Sequence, residues 1–280
     1  MRCSTSGEME AIMKKMKILH GISFIITLII FVKLSKLIAF VFILFYVVVI
    51  NYPTILCYIG NHKFASNNME QSKKYFLMVC KCFYSSPKLK ISCCYFLLLQ
   101  GELDDADRIV KGLLGENLTS TDKVNLEIDH SLIAWKRNKI DESINILVNL
   151  YNDYKTTVIY QNLGYFLILK GDYEKSLEFN LEAYEYNSSD SGILDNLAQN
   201  YYSIGNYDRA IELYEKLMEK NPSFPTAYYY YALTLIEKNK LNEAIRNLKK
   251  ALNCKFTYLS IIKKNVIQQK ILELEMISND

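Results

Sequence analysis

Few residues in this chain have the types and spacing to carry out chemistry, and each group also fits a plain structural role. Four of the seven cysteines, Cys80, Cys82, Cys93 and Cys94, fall close together, and thiolates are soft metal ligands. Structural zinc sites use pairs of the form C-x2-C, a spacing neither pair here has. Cys80 and Cys82, two apart on a helix, point to different sides. The expectation is buried free thiols and no metal, and free thiols point to a reducing compartment. The three histidines, His20, His62 and His130, are scattered, with no Cys or Ser nucleophile at a motif spacing. The chain contains no G-x-S-x-G, no P-loop, no G-x-G-x-x-G and no H-E-x-x-H. Asp104 and Asp105 are paired carboxylates, but they open a helix, where negative charge suits the dipole. Asn117-Leu118-Thr119 fits a glycosylation sequon, which a cytoplasmic segment never uses. No catalytic residue and no cofactor is expected; the chain does not read as an enzyme.

Charge narrows the partners. A formal net charge of +3 over 280 residues is nearly neutral, and the basic residues are interleaved with acidic ones on helix surfaces, so nucleic acid is not an expected partner. Twenty-two tyrosines are many. Tyrosine suits helix-packed surfaces because the ring packs while the hydroxyl stays wet.

The elements that would position any site follow from one stretch, Ser191 to Phe224. Leu194, Leu197, Ala198 and Tyr201 share one helical face, and Ala210, Tyr214 and Leu217 share another. Gly205 stands where a helix end needs a left-handed residue, and Pro222 ends the unit. The unit recurs in steps of 33 to 37 residues, with Asn67, Gly101, Asn138, Gly171, Gly205 and Asn239 at the turn. Glycine and asparagine enter the left-handed region most cheaply. Five residues on, Ser72, Ala106, Ser143, Ser176, Ala210 and Ala244 are always small. Two columns agreeing over six units define a repeat array.

The pattern resembles the tetratricopeptide (TPR) repeat, a helix-turn-helix unit of about 34 residues. Gly164, Ala198 and Ala232 stand at the family's small position in the first helix of three successive units. Those units run without a gap from Thr157 to Tyr258; Pro87 to Thr156 matches with extra residues near Leu114 to Ser120; Pro53 to Ser86 shows only the turn and the second helix. The resemblance implies an all-α solenoid whose first helices line a concave groove. On this chain the groove falls on Gln161, Asn162 and Tyr165, then Asp195, Asn196, Gln199 and Tyr202, then Tyr229 and Tyr230. Ile168 and Leu233 extend it, and Asn125, Ile128, Asp129, Leu132 and Trp135 are the corresponding positions one unit earlier. Asn162 and Asn196 match the asparagine that, in the family, hydrogen-bonds an extended peptide; without a ligand they are consensus residues only. Chaperone-tail recognition is disfavoured, because Gln161, Tyr165 and Tyr229 stand where that subtype wants lysine or a polar partner.

The N-terminal part is different. Residues 1–12 are polar and read as a disordered tail, and residues 13–60 read as a membrane anchor of two helices, about 13–32 and 36–60. One helix through everything would bury Lys33 and Lys36 at roughly 2.5–3.5 kcal/mol each. A turn at Lys33-Leu34-Ser35-Lys36 avoids this. A cleaved signal peptide for the first run and a buried soluble hairpin are the alternatives. Arg2, Lys14, Lys15, Lys17, Lys63, Lys73 and Lys74 flank the outer ends, which places the repeats in the cytoplasm. Residues 61–258 then form the array and residues 259–280 a capping helix. The composition, rich in Lys, Asn, Ile and Tyr, points to an AT-rich genome and a prokaryote, so the membrane expected for the apolar runs is the bacterial cytoplasmic one. The expected function is a membrane-anchored adaptor that holds a protein or peptide in its groove and contacts lipid through residues 13–60. The rival is a permanent structural subunit of a membrane complex, packed by its outer surface.

Overall fold

The computed structural model describes residues 18–29 and 36–277. The expected tail over residues 1–12, the start of the first apolar helix, the Lys33-Leu34-Ser35 part of the turn and the last three residues lie outside the described residues. Those described are helical or irregular, with no strand among them. The chain divides into two compact units, residues 1–129 and 130–280.

Two apolar helices come first, α1 (Ile18–Ile29) and α2 (Lys36–Ala65). His20 packs edge-on against Tyr46, with ring centroids 5.8 Å apart, and accepts or donates a hydrogen bond with its hydroxyl. Helix pairs follow: α3 (Met69–Lys81); α4 (Pro87–Gln100) with α5 (Leu103–Leu113); α6 (Ser120–Lys136) with α7 (Ile140–Asp153). Then come α8 (Thr157–Lys170) with α9 (Tyr173–Tyr186), α10 (Ser191–Ser203) with α11 (Tyr207–Glu219), and α12 (Pro225–Glu237) with α13 (Leu241–Leu252). The last helix is α14 (Lys264–Ile277).

Both sequence columns have a physical basis. All six turn residues take positive φ, from 58° at Asn239 to 88° at Gly171. All six small residues of the second column are fully buried. Each stands twelve positions after a second small, buried residue of its own unit: Gly60, Cys94, Ser131, Gly164, Ala198 and Ala232. Where the later residue is serine it can close the contact with a hydrogen bond, Ser72 Oγ to the Gly60 carbonyl at 3.0 Å and Ser143 Oγ to the Ser131 carbonyl at 2.5 Å.

That pairing locates the helix missing from the first repeat. No break falls at residue 60; α2 runs unbroken to Ala65, and its second half, with Leu56, Cys57, Gly60 and Phe64 buried, packs on α3 and α4. The apolar run is therefore also the first helix of the first unit. Pro53 lies inside it and cannot donate to the Val49 carbonyl. Tyr84 supplies the missing donor, its hydroxyl lying 2.8 Å from that oxygen. By length and composition Leu37–Ala65 suffices to cross a membrane, and 11% of its most apolar window is buried.

At the other end, Ile267, Ile271 and Leu274 of α14 close the core of α10 to α13. Val266 and Ile277, which share the apolar pattern, stay exposed. The helix begins at Lys264 rather than Leu259. Thr257 and Ser260 bond each other first, Thr257 N–H to Ser260 Oγ at 2.9 Å and Ser260 N–H to the Thr257 carbonyl at 3.0 Å. Such local bonds compete with a helix for the same backbone.

Candidate functional site

The residues expected to line a groove lie in the second unit, on α8, α10 and α12, and their caps hold those helices in place. Asp190 caps α10, accepting from Gly192 N–H and Ile193 N–H at 2.9 and 3.0 Å. The same carboxylate accepts from Gln161 Nε2 at 2.5 Å, which ties α8 to the start of α10. Pro225 opens α12, where its absent N–H leaves no gap.

The two asparagines differ in what they do. Asn196 is buried and donates through Nδ2 to the Gln161 carbonyl at 2.7 Å, so it staples α10 to α8. Asn162 is half-buried and donates to the Val158 carbonyl of its own helix at 2.8 Å. Behind them runs an amide network: Ser176 Oγ and Asn180 Nδ2 both donate to Asn200 Oδ1, at 2.7 and 3.0 Å, and Asn200 Nδ2 donates to the Tyr173 carbonyl at 2.9 Å. Gly164 makes room for it, since a Cβ there would stand 2.2 Å from Asn180 Oδ1. The signal was present in the sequence: Asn180 is polar in a column that holds Tyr214 and Leu248 in the next units, and it coincides with glycine rather than alanine at residue 164.

Asp195, Asn196, Gln199 and Asn200 belong to a run of eight buried residues on α10. Asp195 is flanked by Tyr165, Tyr214 and Tyr230, and burial holds its carboxyl up at about 7 despite a hydrogen bond from Thr226. The aromatic rings form a row. Trp135 meets Tyr165 at 6.2 Å, Tyr202 meets Tyr230 at 5.9 Å, and Tyr230 meets Tyr229 at 5.5 Å. Tyr165, Tyr202, Tyr229 and Tyr230 are half-buried. Two residues went unnoticed in the sequence. Lys136 Nζ lies 3.9 Å from the Trp135 ring centroid and 5.2 Å from that of Tyr258, which the α13–α14 linker brings to this side. Burial, then nearby Lys263, lowers the Lys136 pKa to about 8.

The four clustered cysteines sit elsewhere, in the first unit. Cys93 and Cys94 are fully buried. Cys93 Sγ lies 3.9 Å from Cys57 Sγ, and Cys94 Sγ lies 3.6 Å from the Ala106 carbonyl. The contact with Cys57 and then that with Cys80 raise the Cys93 pKa; burial raises that of Cys94, so both favour the thiol. Among the described residues no three His, Cys, Asp or Glu side chains gather as a metal ion would need.

The helix-hairpin geometry agrees with known proteins. A family model described as anaphase-promoting complex, cyclosome, subunit 3 matches residues 170–251. A tetratricopeptide repeat protein from Parabacteroides merdae superposes with a TM-score of 0.65 at 14% identity, covering 81% of this chain and 85% of that one. This chain has the TPR-type repeat fold. The APC/C hetero-tetramer Cut9-Hcn1 gives a TM-score of 0.59 at 16% identity, covering 79% of this TPR-type chain and 42% of that one. In sequence, the photosystem I assembly protein Ycf3 of Prochlorococcus marinus subsp. pastoris is 33% identical over 107 residues. The match takes in 37% of this chain and 62% of Ycf3, so the chain spans about three fifths of that relative's length. The likeness is one of fold, helix pairs stacked on their neighbours as in a solenoid.

Proposed function

We propose that this TPR-type protein is a membrane-anchored adaptor that binds an extended protein segment along the face formed by α8, α10 and α12. The observation that carries the reading is the row of half-buried aromatic rings Trp135, Tyr165, Tyr202, Tyr230 and Tyr229 on successive first helices. Such rings give flat, partly polar contact area at low entropic cost, as binding hot spots do. Asn162, whose amide bonds only its own helix, can turn outward to a peptide; Asn196 serves to hold the helices in register.

Anchoring rests on α2. Leu37, Phe40, Leu44 and Phe45 are exposed and apolar, and a lipid surface is the cover that suits them. The segment Leu37 to Tyr52 precedes the repeat packing and spans about 24 Å of helix at 1.5 Å per residue. That is short of a roughly 30 Å hydrocarbon core, so the repeats sit hard against the headgroups, where Lys63 and Lys73 follow. Holding the array there concentrates its partner at the membrane. The relative named for photosystem assembly is in keeping with a role in bringing proteins together.

A second reading draws on the burial of Asp195, Asn196 and Gln199: a permanent structural subunit packs by its outer surface and leaves this face closed. The double variant Asn162→Ala/Tyr230→Ala separates the two. Under the first reading, the full chain in lipid nanodiscs loses capture of its soluble partner; under the second, capture is unchanged and assembly is intact.

A further inference from the structure

The face described above holds three buried polar atoms that bond to nothing: Asp195 Oδ1, Gln199 Oε1 and the Tyr165 hydroxyl. Asp195 and Gln199 stand one turn apart on α10, so their side chains leave the same side of the helix. They are 6% and 3% exposed. A carboxylate oxygen and an amide oxygen can only accept. Asp195 Oδ1 and Gln199 Oε1 therefore lack a donor, the Thr226 hydroxyl alone bonding the Asp195 carboxyl; the Tyr165 and Tyr214 hydroxyls, which are able to donate, bond neither. Among the described residues no lysine or arginine pairs with Asp195; the titratable groups around it are tyrosines, Tyr165 on α8, Tyr214 on α11 and Tyr230 on α12. Aromatic faces attract cations. Tyr230 is only half-buried and meets half-buried Tyr202 at 5.9 Å, so the rings beside Asp195 continue to others that reach solvent.

We propose that Asp195, Gln199 and Tyr165 form a subsite for one basic side chain, lysine or arginine, of the bound segment. The ligand's ammonium or guanidinium donates to Asp195 Oδ1 and Gln199 Oε1, and its charge lies against the rings of Tyr165, Tyr202 and Tyr230. A lysine head has three donors and no acceptor, which matches two bare oxygens and a hydroxyl lone pair. A neutral or acidic side chain would leave the carboxylate unmatched, so the subsite selects by charge as well as by shape. This subsite rests on the groove reading given above.

The test is panning of the full-length chain in lipid nanodiscs against phage-displayed random octapeptides, followed by fluorescence anisotropy on the selected peptides. The expected peptides share one Lys or Arg at a fixed register. Asp195→Asn should weaken them roughly 10- to 100-fold, the loss typical of a hydrogen bond to a charged group. From the ligand side, norleucine in place of the basic residue should lower affinity for the wild type by a similar factor, an arm that stands even where the variant fails to fold; on the folded variant the norleucine peptide should bind as it does to wild type. Selected peptides that share no basic residue, or that bind Asp195→Asn as tightly as wild type, overturn the subsite. If those peptides are still lost on Tyr202→Ala/Tyr230→Ala, the groove reading survives without it. Failure to select any peptide sensitive to the two tyrosines overturns both.

Discussion

In residues 1–129 the helix pairs meet through sulfur and phenyl rings; in residues 130–280 they meet through amides and tyrosines. The first unit closes on Phe76, which stacks on Phe96 at 5.2 Å, with Phe64 edge-on to Phe96 at 5.4 Å and Cys93 and Cys94 behind. The second closes on Tyr160 and Tyr214 and on the Ser176–Asn180–Asn200 network. Both keep the same small-on-small contact inside each hairpin. The difference teaches that the repeat prescribes only the close approach of its two helices; what fills the rest of the interface is open. In the first unit that filling is apolar, and its first helix is also the long apolar α2. In the second a largely apolar core is joined by tyrosines and by one directional amide network, and the candidate site lies there.

The largest effect expected from breaking this contrast is in the first unit. Phe76 is fully buried and covers Gly60, where a Cβ would stand 2.6 Å from its ring. Phe76→Ala should cost about 3–5 kcal/mol, as aromatic truncations in closed cores do. Guanidinium unfolding in detergent micelles, followed by circular dichroism, measures it. A loss below 1 kcal/mol, well under that range, would mean that the phenyl cluster is not what holds this unit together.

Asp129 in the first unit and Asp195 in the second are buried carboxyls, and burial raises the pKa of both. An acid whose folded pKa lies above its unfolded value favours folding only when protonated. For Asp195 stability should therefore fall as pH rises from about 4 to about 7, by up to about 4 kcal/mol. Asp195→Asn removes that dependence, so the variant should gain on wild type between pH 5 and pH 8. Melting temperatures across that range decide it; parallel profiles would mean the carboxyl is hydrated.

The amide network offers a sharper contrast. Gly164→Ala drives a methyl into Asn180 Oδ1 and should cost about 1–3 kcal/mol, the usual range for overpacking. Adding Asn180→Ala should return part of it, because the clash goes with the amide. A double-mutant cycle with additive losses would deny the coupling.

How far these features were legible follows from the same residues. The turn and small-residue columns were readable through all six units because backbone conformation and close helix approach each admit few residue types. Gly60 and Cys94 complete the earlier column of small residues, yet the first was hidden in a run whose apolarity reads as lipid-facing throughout. The groove residues were assigned as positions, not as roles: the resemblance to the repeat family gave Asn162 and Asn196 the same place in successive units, but only the packing shows Asn196 bonded to a neighbouring helix and Asn162 to its own. Lys136 and Tyr258 were beyond reach, because an irregular linker carries no period from which its path could be read.

The smallest effect tests what the two units share. At Gly205 a Cβ would meet nothing within 4 Å, and φ is 79°, so Gly205→Ala isolates backbone strain. Left-handed alanine should cost about 1 kcal/mol, and Gly205→Asn less, since asparagine already serves at Asn67, Asn138 and Asn239. Asn67→Ala in the first unit should cost a similar amount, its φ being 60°. Equal losses by chemical unfolding would locate the cost in the turn alone, independent of sulfur or amide filling. A much larger loss at Asn67 would place added strain in the turn between α2 and α3, where Asn68 N–H bonds the Lys63 carbonyl at 2.9 Å.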